Sequence, residues 1–302
     1  MGIQPLRMLL SLSLSFIASS ALWPVNATQL EKLLQHGDID ALRQACQESH
    51  RLSLRARLRR LRNRLMIVAP APQPFAVVMA NASALMDCRA PASAQTVLNR
   101  TRPVLGEEQQ RWLLLSWRAA NSALDHRRAA LMLRRLAATG LVNFDGLYLE
   151  VGKRADGKLL TQPARDLLAE HEIALGRSQE VVNVLLADRA PSLSRARRLG
   201  RAAELLAPVD PAGAKSLLES VLEQAKADKA WGLATTLLQH NDDSQSRQRL
   251  ERLALRLKDF YSLWQLWSAD PERRKEAIEL ERYLRSPRQP GGHSTQITDL
   301  SL

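Results

Sequence analysis

The sequence predicts an all-α fold of helix pairs packed side by side into an α-α superhelix, with one small β-hairpin let into it. Small or apolar residues recur at i, i+3, i+12 and i+16 in six stretches: Leu30/Leu33/Leu42/Cys46, Ala82/Leu85/Ala94/Leu98, Trp117/Ala120/Ala129/Leu133, Ala169/Glu172/Val181/Leu185, Ala202/Leu205/Ala214/Leu218 and Ala234/Leu237/Ser246/Leu250. Residues at i and i+3 share a helix face and the intervening turn reverses the chain, so these are the positions where paired helices approach. Apolar residues fall at helical spacing in almost every other window as well, and aromatics make up only 4% of the chain. A single stretch, residues 146–162, alternates with period two instead.

The first 27 residues read as a signal peptide. Arg7 supplies the positive n-region, residues 8–22 form an apolar and serine run, and Val25-Asn26-Ala27 is a small-residue cleavage site. The mature chain is then expected to begin at Thr28. The run is shorter than the roughly 18–20 residues of a spanning helix, and no later stretch is longer, so the product is expected to be exported to a periplasm as a soluble or peripheral protein.

N-terminal helices follow over residues 28–68. The first pair spans 29–36 and 39–48, with Gly37-Asp38 as turn and N-cap, and a basic helix occupies 51–66. Residues 69–74, rich in proline, cannot continue it and form a connector. The helical repeat domain is placed at 75–285. Its helices lie near 75–88 and 91–102, then 107–124 and 126–138, with Gly140 closing the last of these. In the hairpin, residues 147–151 alternate, Asp156-Gly157 turns and residues 158–161 return. Helices resume at 163–175, 178–187 and 192–206. Asp210-Pro211 and Asp270-Pro271 are strong helix starts, Asp as cap and Pro at the first position. Residues 286–302, with two prolines, Gly291-Gly292 and many small polar residues, are expected to be a disordered tail.

The six stretches resemble tetratricopeptide-like repeats, in which small residues at the crossing points let paired helices nest. Ala82, Ala94, Ala129, Ala202, Ala214 and Ala234 occupy such positions. The resemblance covers residues 29–260. A tight-turn glycine appears only at Gly37 and Gly176, and Glu172 and Ser246 interrupt the apolar pattern. It implies an α-solenoid with a protein-protein interaction surface. The runs at 117–121 and 284–293 are similar to an uncharacterised cyanobacterial family, which implies no activity but would make the compartment a thylakoid lumen.

The formal charge is +12 and arginine outnumbers lysine several-fold, which favours acidic protein partners or an anionic membrane surface. Export removes nucleic acid as a partner, and a GC-rich genome produces arginine richness with no partner at all. Cys46 and Cys88 form an even pair and a candidate disulfide in an oxidising compartment.

Catalytic, cofactor and metal constellations are not found. His171-Glu172 lacks a second histidine four residues on, no two histidines share a helical face, and each histidine is expected at the surface or in a turn. Nucleophile elbows and phosphate-binding glycine loops are missing. The acid pairs Glu107-Glu108 and Asp242-Asp243 sit at helix starts, where the macrodipole accounts for them. Of the three glycosylation sequons, those at Asn81 and Asn99 fall on predicted helices.

Residues 51–65 are the sharpest functional feature. Leu54, Leu58, Leu61 and Leu65 form one stripe, and six arginines spread over the other faces, with no acid between Glu48 and Asp87. The leucines can equally join a helical core and leave the arginines to solvent. A second basic stretch, Arg195, Arg197, Arg198 and Arg201, opens a helix where positive charge opposes the dipole. Arg51, Arg55, Arg59, Arg62, Arg195 and Arg198 are therefore the candidate binding residues for an anionic surface or partner. Phe260, Tyr261, Trp264 and Trp267 have the spacing of a core face. Three readings follow: an exported non-catalytic scaffold or assembly factor that binds another protein, a peripheral membrane protein docking through residues 51–65, and an envelope-polymer hydrolase, which would need paired acids in one cleft.

Overall fold

The computed structural model describes residues 27–68, 70–101, 103, 105–187, 192–241 and 243–285. The expected signal peptide, Ala27 excepted, and the tail at 286–302 lie outside the described residues. The chain is all-α with one two-stranded antiparallel sheet among the described residues. It divides into two compact units between Asp125 and His126.

The first unit holds α1 (Ala27–His36), α2 (Ile39–Arg51), α3 (Arg55–Val68), α4 (Phe75–Asp87), α5 (Pro91–Leu98) and α6 (Glu107–Ser122). One core runs through it, including Leu30, Leu42, Cys46, Leu61, Leu65, Leu85 and Leu98. The proline-rich connector is thus no domain boundary. Asn81, fully buried on α4, donates to the Leu65 carbonyl at 3.0 Å, and Arg100 donates to the Met66 carbonyl at 2.9 Å, so the end of α3 is tied down across it. That burial also closes Asn81 to a glycan.

The second unit holds α7 (His126–Ala138), β1 (Tyr148–Lys153), β2 (Leu159–Pro163), α8 (Ala164–Ala174), α9 (Ser178–Leu186), α10 (Leu193–Leu206), α11 (Pro211–Ala227), α12 (Trp231–His240), α13 (Ser244–Leu257), α14 (Phe260–Ser268) and α15 (Arg274–Arg285). Each helix from α7 to α15 packs on the next in sequence. The hairpin turns through Gly157 at φ +80, with the Arg154 N–H bonded to the Lys158 carbonyl, and β2 rests on α8.

Every residue of the six-fold pattern is buried except Leu33 and Leu205, which are half-buried. Glu172 and Ser246, the polar interruptions, are buried with the rest. The turns follow a different rule. Helices α2, α4, α6, α8, α11 and α13 all end in the same motif, with a left-handed residue: Ser53, Arg89, Leu124, Gly176, Lys229 and Lys258. In each, the left-handed residue and the one after it return N–H bonds of 2.8–3.2 Å to the last turn, as Lys258 does to Leu255 and Asp259 to Ala254. The next helix starts two residues later every time, at Arg55, Pro91, His126, Ser178, Trp231 and Phe260.

The first three turn residues are 36 and 35 apart, and Gly176 follows Leu124 by 52, or by 35 once the 17 residues of 146–162 are set aside. Glycine therefore marks only one of these turns. Gly37 has no positive φ; a Cβ there would run into Leu33.

Three boundaries differ from expectation. The basic helix starts at Arg55, because α2 runs on to Arg51 and Ser53 forms a turn. Helix α5 stops at Leu98, short of 102, and Thr101 bonds back to Leu98 over three residues. At Asp270-Pro271 a 3-10 turn, Pro271–Arg273, precedes α15.

Candidate binding surfaces

On α3 the leucines are spent on the core. Leu61 and Leu65 are fully buried, and Leu58 packs against the same cluster. Flanking that stripe are Arg55, Arg59 and Arg62 at i, i+4 and i+7, the first two exposed and the third half-buried. No described carboxylate pairs with these three or with exposed Arg51, which belongs to the last turn of α2. Arg60, on another side, is held by Glu31 at 2.6 Å, and the same bond keeps the Glu31 carboxyl below its usual range.

The second basic stretch is not a surface in the same sense. Arg198 is 5% exposed, and its Nε donates to Asp166 on α8 at 2.6 Å. This corrects its assignment as a binding residue: the guanidinium is consumed within the fold, since a charge so buried needs a partner. Arg195 is half-buried, with its N–H capped by the Ser192 hydroxyl at 3.0 Å, while Arg197 and Arg201 are exposed. The positive N-terminus of α10 thus has a structural cause in the Arg198–Asp166 pair.

Helix α8 concentrates buried charge. Beside Asp166 it carries Arg165, bonded to Asp145 at 2.6 Å and to the Val184 carbonyl at 2.8 Å. Its Glu172 is completely buried, 3.0 Å from Arg134 on α7 and 3.5 Å from Arg177; Arg134 also reaches Glu180 at 3.1 Å. His171 is 3% exposed, contrary to the surface or turn position expected of it. Its Nδ1 lies 3.1 Å from Nδ1 of His126, the half-buried first residue of α7. Burial pushes the His171 imidazole down to about 4, with His126 adding to the effect. The two histidines are 45 residues apart, and a search for helical spacing has no means of finding them.

Cys46 on α2 and Cys88 at the end of α4 are joined in a disulfide, with Cα atoms 4.8 Å apart. Trp267 is the buried aromatic of α14; its Nε1 donates to Glu251 at 2.9 Å and Arg273 lies over its ring, while Tyr261 is 55% exposed.

Two cavities open in the second unit. One of about 760 Å³ is lined by α12, α13, α14 and the turn after it; the other, of about 570 Å³, by α10, α11, α12 and the start of α13. They share His240 and Asn241 as a common wall. Carboxamides are among their polar groups, with Gln239, Gln248 and Gln265 in the first, Gln245 in the second and Asn241 in both, and Arg247 and Lys215 add a cation to each. Of the acids there, Glu204 lines the second cavity, and three others have structural work. Glu251 holds Trp267 and Arg273, Asp270 caps the 3-10 turn, and Asp243 caps α13 with bonds to the Gln245 and Ser246 N–H groups.

No family model matches the chain, and neither does any curated protein or solved structure. No helix among the described residues is long and apolar enough to cross a membrane.

Proposed function

We propose that the chain is an exported, non-catalytic helical-repeat scaffold that holds an extended segment of another protein in the furrow of its second unit. The observation that carries this reading is the pair of adjoining cavities meeting at His240 and Asn241. Gln245 and Gln248 each offer a donor and an acceptor, which suits the alternating N–H and C=O groups of an extended backbone, while Gln239, Gln265 and Asn241 already donate within the fold. Leu218, Leu237, Leu250 and Leu266 supply apolar wall between them. The first four turns, spaced by 36, 35 and, with the hairpin set aside, 35 residues, support a tetratricopeptide-like repeat, whose period is about 34, whereas the last two intervals are 53 and 29. The disulfide supports an oxidising compartment.

A photo-reactive residue at Gln245 or Gln265, both exposed, should crosslink one partner in the native compartment, and the same residue at exposed Glu223 should not. Equal crosslinking from all three positions would remove the furrow as the binding surface. N-terminal sequencing should find Thr28 first.

A second reading, peripheral docking to an anionic bilayer, is favoured by the unpaired Arg51, Arg55, Arg59 and Arg62. With the leucine stripe spent on the core, the contact is electrostatic and reversible, each arginine contributing about 1 kcal/mol at low salt and less once screened. Replacing Arg55, Arg59 and Arg62 by Gln should preserve helix content and weaken sedimentation with phosphatidylserine vesicles. Unchanged sedimentation leaves these side chains as a solvated face.

A further inference from the structure

We infer that His126 and His171 form a binding site for a divalent transition-metal ion that clamps α7 to α8. The two Nδ1 atoms point at one another across 3.1 Å, with ring centroids 5.4 Å apart and planes tilted by 51°. Metal–nitrogen bonds of about 2.0–2.1 Å place two ligand nitrogens roughly 3.3 Å apart at a tetrahedral angle and roughly 2.9 Å apart at a right angle. The observed separation lies between them, so the nitrogens need hardly part, and binding instead swings each ring so that its lone pair turns off the N–N line toward the ion. The pair is fixed by the fold: His171 is held in the buried core of the second unit, and α7 packs directly on α8.

The neighbouring groups define the rest of the site. Glu172 is turned to Arg134 and Arg177 and is already neutralised there. Among the described residues no third His, Cys, Asp or Glu converges on the pair. Two imidazoles therefore hold the ion and water completes its shell from the half-exposed His126 side. Such a donor set takes Cu²⁺, Ni²⁺ or Zn²⁺ and rejects Mg²⁺ and Ca²⁺, which need oxygen ligands. Without metal, one Nδ1–H donates to the other Nδ1. On binding, the donating ring moves its proton to Nε2, both Nδ1 lone pairs turn to the ion, and no net charge is lost from the protein. His126 reaches solvent and can make that change.

The test uses the untagged full mature chain, stripped with chelator and dialysed, titrated calorimetrically with Cu²⁺, Ni²⁺, Zn²⁺ and Mg²⁺ at pH 7.5. One equivalent of Cu²⁺ should bind and raise the melting temperature, and Mg²⁺ should do neither. His126→Gln, at a half-exposed position, should keep the circular dichroism of the parent and weaken Cu²⁺ binding by at least about tenfold, since losing even an outer-shell partner of a ligand costs that much. Paramagnetic broadening by Ni²⁺ in an amide spectrum should centre on the starts of α7 and the end of α8. Binding that is absent, that survives His126→Gln, or whose broadening centres on His36, His50 or His240 would overturn the assignment. None of these readouts depends on the scaffold reading.

Discussion

Glu172 occupies a position the repeat pattern reserves for an apolar side chain, and a carboxylate there survives because Arg134 and Arg177 reach it. Removing a cation from a buried pair strands the remaining charge, whereas here removing the carboxylate does not, because Arg134 and Arg177 are partly exposed and Arg134 keeps Glu180. Arg134→Met should therefore destabilise the second unit by about 2–3 kcal/mol, at the low side of that effect because Arg134 is partly exposed and Arg177 remains. Glu172→Met should cost far less. Urea unfolding of both variants checks the asymmetry. Asp243 acts differently. Its carboxylate accepts from the Ser246 hydroxyl at 2.7 Å and caps α13, and these bonds, the hydroxyl foremost, hold its pKa below the ordinary value. Asp243→Ala should cost about 1 kcal/mol at neutral pH. A carboxyl with a depressed folded-state pKa stabilises fully above its unfolded value and loses that contribution as pH falls through the folded one. The difference between parent and variant should accordingly vanish in strong acid.

At the scale of elements, the recurrent feature is the left-handed residue that ends α2, α4, α6, α8, α11 and α13. Five of the six are not glycine, and a Cβ in that conformation costs roughly 1–2 kcal/mol, partly offset by the greater freedom glycine has when unfolded. Lys229→Gly and Lys258→Gly should each stabilise by about 0.5–1 kcal/mol, read as a rise in thermal midpoint. A lack of effect would mean that the local backbone can relax out of the left-handed region. The turn glycine was the wrong signal to search for. The hydrogen bonds from the left-handed residue and the one after it define the motif, and backbone bonds carry no side-chain signature.

For the whole molecule, both cysteines lie in the first unit, with 42 residues of separation. Closing a loop of that size is worth about 4 kcal/mol in the chain-entropy model, and measured values run near 2–4. The Cys46→Ala/Cys88→Ala variant should lose that amount from the first unit and leave the second unaffected. Hydrogen exchange should then accelerate in α1 to α6 and stay at parental rates in α7 to α15.

Periodicity determined the fold class, the order of helices, the hairpin and nearly all of the buried positions, because a 3.6-residue repeat and a period of two are local properties written in consecutive residues. Helix starts capped by Asp38, Asp210 and Asp243 were legible for the same reason. The tertiary structure alone decided which charges are available. Arg198 and Arg55 look alike in the sequence, yet one is buried against Asp166 and the other has no partner. It also decided the meeting of His126 with His171, the burial of Glu172 and the shared wall at His240 and Asn241. Each of these depends on which helices pack together, a relation between residues tens of positions apart that no local pattern encodes.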